Sequence, residues 1–160
     1  MKPSIYNIQL TTPGFLYIMP KPSGEWLNED IHHYSEIGIN RIVSLLTSNE
    51  EKELDLLKEE KTCHLYGIAY DSYPIEDRGL PEKEKFKLLV ISVMQSLQQG
   101  QNVTTHCRAG IGRAGLLSCC ILQELDFSPR EAVETVSTSR GVAVPDTEEQ
   151  LDFIHDYKTD

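Results

Sequence analysis

The residues best able to do chemistry in this chain are Cys107 and Arg113, with five residues between them. They lie inside His106-Cys107-Arg108-Ala109-Gly110-Ile111-Gly112-Arg113-Ala114-Gly115. A cysteine thiolate is a strong nucleophile, and an arginine guanidinium is a planar fork that binds two oxygens of an anion at once. Glycines at 110 and 112 allow the backbone to curl until successive N–H groups point at one spot. Such a turn suits an anion with three or more oxygens. The same positive field favours the thiolate at Cys107. A thiolate beside a bound phosphate is a nucleophile aimed at phosphorus. On this reading Arg108, Ala109, Gly110, Ile111, Gly112 and Arg113 bind the substrate's oxygens.

The flanking pattern places this loop between a strand and a helix. Asn102-Val-Thr-Thr-His106 is short and β-branched, as at the end of a strand. From Leu116 to Leu125, the apolar residues Leu116, Leu117, Cys120, Ile121 and Leu125 recur at helical spacing. That helix turns its free N–H groups and positive end toward the loop. His106 precedes the nucleophile, so its side chain points away from the substrate and orients the loop through its ring N–H groups.

A general acid must be a carboxylic acid held near the leaving oxygen. The stretch Asp71-Ser-Tyr-Pro-Ile-Glu-Asp77-Arg78-Gly79-Leu80-Pro81 is a loop stiffened by two prolines, and it offers Asp71, Glu76 and Asp77 on equal terms. Arg78, Arg108, Arg113 and Arg140 are the arginines available to make a phosphate site locally positive.

The rest of the chain alternates strands and helices. Residues 4–10 and 14–19 predict two short strands, 25–37 a helix stopped by Gly38, and 39–46 a strand buried on both faces. Ser48 with Glu51 predicts a capping box and a helix to about Lys61, followed by a strand over 63–70. The spacing implies a parallel crossover. Residues 82–99 form the clearest helix, with Phe86, Leu89, Val90, Val93, Met94 and Leu97 on one face. Ser128 with Glu131 caps a helix to about Ser139, and Asp146 with Glu149 caps a last one ending near Tyr157. The expected fold is α/β: a central, mostly parallel sheet of four to five strands with helices on both faces.

A chain of 160 residues without an internal repeat, linker or low-complexity tract suits one domain over 1–160. The net charge of −10 argues against nucleic acid as a partner, because such binding rests on basic patches. No apolar run approaches a membrane span, and Met1-Lys-Pro-Ser-Ile-Tyr has no apolar signal core. No membrane association and a cytoplasmic location are the expectations, with a monomer as the simplest oligomeric state. Cys63, Cys107, Cys119 and Cys120 follow no disulfide or zinc spacing and are expected as reduced thiols. His32 and His33 have no matching second ligand pair, so no metal or other cofactor is expected.

The string His-Cys-x-x-Gly-x-Gly-Arg between a strand and a helix resembles the phosphate loop of the protein tyrosine and dual-specificity phosphatases, in a compact member of that superfamily. Cys-x5-Arg by itself also occurs in rhodanese-like phosphatases. Pro74-Ile-Glu-Asp77-Arg-Gly-Leu-Pro81 resembles the acid loop of compact dual-specificity members, and Asp77 lies the family's thirty residues before Cys107. The resemblance therefore selects Asp77 as the acid. It implies hydrolysis of phosphotyrosine, with phosphoserine and phosphothreonine as further substrates, through a phosphocysteine and without a cofactor. Gln150 reads first as a helix-surface residue; the resemblance offers it a second role, positioning water. Ala114 departs from the family, which carries Ser or Thr there as a donor to the sulfur. Two alternatives stay open: a phosphoprotein-binding module of low turnover, and a phosphoinositide phosphatase in which Arg108 adds positive charge.

Overall fold

The computed structural model describes residues 2–159. In chain order its elements are β1 (Tyr6–Ile8), β2 (Leu16–Met19), α1 (Leu27–Glu36), β3 (Arg41–Ser44), α2 (Ser48–Glu53), α3 (Glu59–Leu65), β4 (Ala69–Ser72), α4 (Lys83–Gln98), β5 (Val103–His106), α5 (Arg113–Glu124), α6 (Pro129–Arg140) and α7 (Glu148–Asp156). The strands form one sheet in the order β1-β2-β5-β3-β4. β1 runs antiparallel to β2, and the other three pairings are parallel.

Alternation along the strands feeds two cores. Leu16, Ile18, Val43 and Val103 pack with α4, α5, α6 and α7 on one face. Met19 and Ile42 pack with α1 and α3 on the other. This is the expected α/β architecture with both faces covered. β5 is the central strand, third of the five, and all four of its residues are buried. Its C-terminal end therefore opens in the middle of the parallel strands' carboxyl edge, where ligands bind in open α/β sheets. α5 leaves from there and is buried all round, from Arg113 to Gln123, beneath α4, α6 and α7. No helix among the described residues is long and apolar enough to cross a membrane.

The segment between β3 and β4 differs from the sequence-based expectation. The single helix over 48–61 is two helices, broken at Leu54–Lys58, where Asp55 takes a left-handed φ of 58°. The expected strand over 63–70 is instead the end of α3, a turn through Gly67, and then β4. The reason lies in which side chains need burial. Glu59, Thr62 and Cys63 are buried at i, i+3 and i+4 spacing, while Leu65 is exposed, a helical pattern and not an alternating one. The two acidic caps also shift by one residue. Thr47 with Glu50 caps α2, and Thr147 with Gln150 caps α7, in place of Ser48 with Glu51 and Asp146 with Glu149. Ser128 with Glu131 caps α6 as expected, with Pro129 in the first turn.

The burial of α5 predicts its share of the stability. Leu117 is fully buried among the α4–α7 core. Leu117→Ala is expected to lower the unfolding free energy by about 2–5 kcal/mol. The check is urea denaturation followed by circular dichroism.

Candidate active site

The loop from Cys107 to Gly112 links β5 to α5, and its carbonyls are all turned outward onto partners. Cys107 O faces His106 Nδ1 at 3.2 Å. The Lys21 backbone N–H donates to Arg108 O at 3.1 Å. Arg140 donates through Nη2 to Ala109 O at 3.1 Å and through Nε to Gly110 O at 3.0 Å. Gly115 N–H donates to Ile111 O at 3.1 Å, and Leu116 N–H to Gly112 O at 2.9 Å, as the first bonds of α5. In a planar trans peptide the N–H points opposite the C=O. Anchoring these carbonyls outward therefore turns the N–H groups of Arg108 through Arg113 inward, toward one point above Cys107.

Glycine is needed where the loop passes the sheet. Gly110 has φ +71°, and a Cβ there would stand 2.4 Å from the Met19 carbonyl carbon and 2.6 Å from Pro20 N. The result is a pocket of about 220 Å³ lined by Asp77, Arg78, Cys107, Arg108, Ala109, Ile111, Gly112, Arg113, Asp146 and Gln150. The expected nucleophile, fork and acid are thus brought together. Ala114 N–H lies 3.4 Å from Cys107 Sγ and donates to it. The Ala114 methyl is fully buried and brings no hydroxyl to the sulfur.

Arg113 is buried, with 2% exposure, and Glu50 holds its fork. Nη1 donates to Glu50 Oε1 at 2.6 Å and Nη2 to Glu50 Oε2 at 2.9 Å. Nη1 also donates to Ile75 O at 2.8 Å, and Nη2 to Asp77 Oδ1 at 3.2 Å. Burial opposes the guanidinium charge, but the hydrogen bonds and charge of Glu50 outweigh it and hold Arg113 above its ordinary value. Glu50 was not legible as a site residue, although Thr47-x-x-Glu50 is a capping-box spacing. Its Oε1 accepts both from Thr47 N–H, closing the cap of α2, and from Arg113.

The other predicted residues fall as follows. Asp71 lies on β4 and accepts from Arg41 Nε at 2.5 Å, which removes it from the acid loop. Glu76 is exposed and makes no side-chain hydrogen bond among the described residues. Arg78 pairs with Asp146 at 2.8 Å, and Arg108 with Glu53 at 3.2 Å and Glu50 at 3.4 Å. Arg140 does not face the pocket's oxygens; it braces the loop from behind and stacks over Tyr6 at 4.3 Å. Gln150 is not on the surface. It is fully buried, its Oε1 accepts from Asp146 N–H and Thr147 N–H, and its Nε2 reaches Gly79 O at 3.4 Å. That bond ties the α7 cap to the acid loop. His106 points away from the pocket as expected, because alternation along β5 sends Cys107 and His106 to opposite faces. Its partner there is Glu59, which nothing in the acidic run Glu59-Glu60-Lys61 distinguished from a solvated face. Burial pushes the thiols of Cys63, Cys119 and Cys120 up, so these three stay protonated. No group of three or more His, Cys, Asp or Glu side chains among the described residues is arranged to hold a metal.

The Arg113–Glu50 pair gives a measurable pH dependence. Burial opposes ionisation of Glu50, but the bonds from Arg113 and Thr47 outweigh it and lower the carboxyl to about 2. A value depressed in the folded state stabilises the fold above the ordinary carboxylate range, and the contribution is lost as pH falls toward 2. Relative to Glu50→Gln, wild-type unfolding free energy is expected to fall by about 3 kcal/mol between pH 6 and pH 2. Urea titrations across that range read the difference.

Comparison with known proteins agrees with this geometry. A model of the Swiss Army Knife protein, DSP-PTPase phosphatase domain matches residues 6–157. Cyclin-dependent kinase inhibitor 3 of Sus scrofa is 25% identical over 134 residues, covering 82% of this chain and 63% of its own. Tyrosine-protein phosphatase non-receptor type 13 of Homo sapiens is 30% identical over 108 residues, 64% of this chain and 4% of its own. The chain thus spans less than two thirds of the length of either relative. Among solved structures, a kinase associated phosphatase with its catalytic-site cysteine replaced by serine superposes with a TM-score of 0.91 at 21% identity, over 99% of this chain and 95% of that one. With the family model running from β1 to the end of α7, across the anchored loop and both covered faces of the sheet, the chain belongs to the DSP-PTPase phosphatase domain family.

Proposed function

We propose that this protein is a phosphomonoester hydrolase that dephosphorylates a phosphoprotein, phosphotyrosine first and phosphoserine or phosphothreonine with it, through a phosphocysteine. The observation that carries this reading is the inward row of N–H groups from Arg108 to Arg113 around Cys107, with Asp77 in reach of the same arginine. The charge of a phosphoryl transition state spreads over its equatorial oxygens, and fixed donors aimed there stabilise it. Cys107 thiolate attacks phosphorus in line, and the bond to the leaving oxygen breaks as Asp77 gives that oxygen a proton. Asp77, now a carboxylate, takes a proton from the water that attacks the phosphocysteine, and thiolate and phosphate are released. A phosphate oxygen competes with Asp77 Oδ1 for Arg113 Nη2. Substrate binding thereby frees the acid for the leaving group.

Local charge favours a protein substrate over a polyphosphorylated inositol. Arg78 and Arg108 flank the pocket, but Asp146, Glu50 and Glu53 already neutralise them. One phosphate meets the N–H groups and Arg113, while a second would meet paired arginines and acidic neighbours. The comparison with cyclin-dependent kinase inhibitor 3 and with a kinase associated phosphatase points in the same direction, toward a protein partner.

The test is stopped-flow hydrolysis of p-nitrophenyl phosphate, phenyl phosphate and phosphopeptides near pH 6. Cys107→Ser is expected to abolish turnover. Asp77→Ala is expected to lower kcat by about 10²–10⁴-fold on phenyl phosphate, and by less on p-nitrophenyl phosphate, whose leaving group needs the proton less. Equal losses on both substrates would remove Asp77 as the acid. A second expectation follows from Ala114. With only a backbone N–H on the sulfur, the wild type releases a burst of nitrophenol and then turns over slowly, and Ala114→Ser speeds the slow phase. Phosphopeptide binding without any burst or turnover would overturn the hydrolase reading.

A further inference from the structure

Of the outward-facing carbonyls in the loop, the one at Cys107 is anchored differently from the rest. Backbone N–H groups and a guanidinium carry their protons at any working pH. An imidazole Nδ1 does so only in the cation or in one of two neutral tautomers. That carbonyl belongs to the same peptide as Arg108 N–H, the first donor of the cradle. Its orientation therefore depends on where His106 keeps its protons.

The other side of the ring decides this. His106 Nε2 lies 2.6 Å from Glu59 Oε2, and both side chains are fully buried. Around them stand Tyr34 on α1, Glu51 on α2, Cys63 on α3, Tyr70 on β4 and Lys21 after β2. Burial and the Glu59 charge push Tyr34, Cys63, Tyr70 and Glu51 up, which leaves the two tyrosines and the cysteine neutral. Burial opposes a charge on His106 and Lys21 opposes it too, but Glu59 outweighs them and holds the ring above its ordinary value.

We propose that Glu59 is a positioning residue for the phosphate loop: by engaging His106 Nε2 it keeps a proton on Nδ1, which holds the Cys107 carbonyl outward and Arg108 N–H inward. The proton count supports this as long as the pair keeps its shared proton, because the Cys107 carbonyl 3.2 Å from Nδ1 can only accept and so calls for an N–H there. Loss of that proton would leave a neutral ring with Nε2–H on the carboxylate and a bare Nδ1. An imidazolium beside a carboxylate has N–H on both nitrogens. A neutral ring beside a carboxylic acid accepts at Nε2 and again bears its proton on Nδ1. Without Glu59 a neutral ring has one proton for two sites. Placed on Nε2, it leaves a lone pair on Nδ1 facing the Cys107 carbonyl, and the peptide that carries Arg108 N–H loses its anchor. Glutamine at 59 still donates an amide N–H to Nε2 and so preserves the proton on Nδ1; leucine does not.

The proposal rests on reading the loop as a phosphate cradle, and its test separates the two. In the full-length wild-type protein with ¹⁵N-labelled histidine, the Nδ1 of His106 is expected to be protonated throughout about pH 5 to 8. An unprotonated Nδ1 in that range overturns the proposal, whether or not the protein turns over. Inorganic phosphate is then titrated as a competitive probe. Glu59→Leu is expected to weaken its binding about tenfold, while Glu59→Gln stays within about threefold of wild type. Glutamine as damaging as leucine, or a folded Glu59→Leu protein that binds as well as wild type, would sink the idea. Should the leucine variant fail to fold, the glutamine variant and the nitrogen shifts still decide. Wild type that binds no phosphate would instead refute the cradle reading, with the nitrogen shifts still deciding the role of Glu59.

Discussion

Peptide planarity governs this molecule. A backbone cannot aim an N–H inward without aiming the C=O of the same unit outward, and a carbonyl in a protein interior needs a donor. A loop that offers a row of N–H groups to one point must therefore find a matching row of donors behind it. Here those donors come from Lys21, two residues beyond β2, from α6, from α5 itself and from the side chain that ends β5. The three-layer fold is what allows elements far apart in sequence to meet behind six residues. Without the loop, the Arg140 guanidinium would lose both of its carbonyl acceptors and keep only its stacking on Tyr6.

The helix caps extend the same economy. An N3 side chain that reaches back to its own N-cap has an oxygen fixed in space at a helix start. Glu50 uses that fixed carboxylate to hold the Arg113 fork, and Gln150 uses its amide to touch the loop that carries Asp77. In both cases a residue that stabilises local structure also sets the position of a group in the pocket. The arginine is thus presented in one orientation before any phosphate arrives, which reduces the ordering that binding must impose.

Much of this was legible in the sequence because it is local. The strand, glycine turn and helix around Cys107 are written in consecutive residues, and so is the proline-braced loop of Asp77. The periodicity of α4 and α5 and the Ser128 cap were equally readable. What failed depended on partners far along the chain. Cys63-His-Leu-Tyr has an apolar and polar mixture that suits either period, and only packing against α1 and β4 makes it helical. Gln150 looks like any polar residue on a terminal helix until Gly79 stands beside it. Glu59 is the clearest case: a glutamate in an acidic run is ordinarily solvated, and its burial follows only from the imidazole that β5 turns toward it. Arg140 shows the converse, a basic residue near the site whose donors meet carbonyl oxygens and not the anion.

The anchors behind the loop divide into two kinds. Those at Arg108, Ile111 and Gly112 come from main-chain N–H groups, which every residue but proline supplies. Those at Cys107, Ala109 and Gly110 come from the side chains of His106 and Arg140. Substitution can leave the first set untouched while rewriting the second. One end of the cradle is thus open to evolutionary tuning, residue by residue, with the helix end held constant as a chassis. Related chains can diverge in rate and in the electric field felt by the sulfur without losing the architecture that makes the chemistry available to selection.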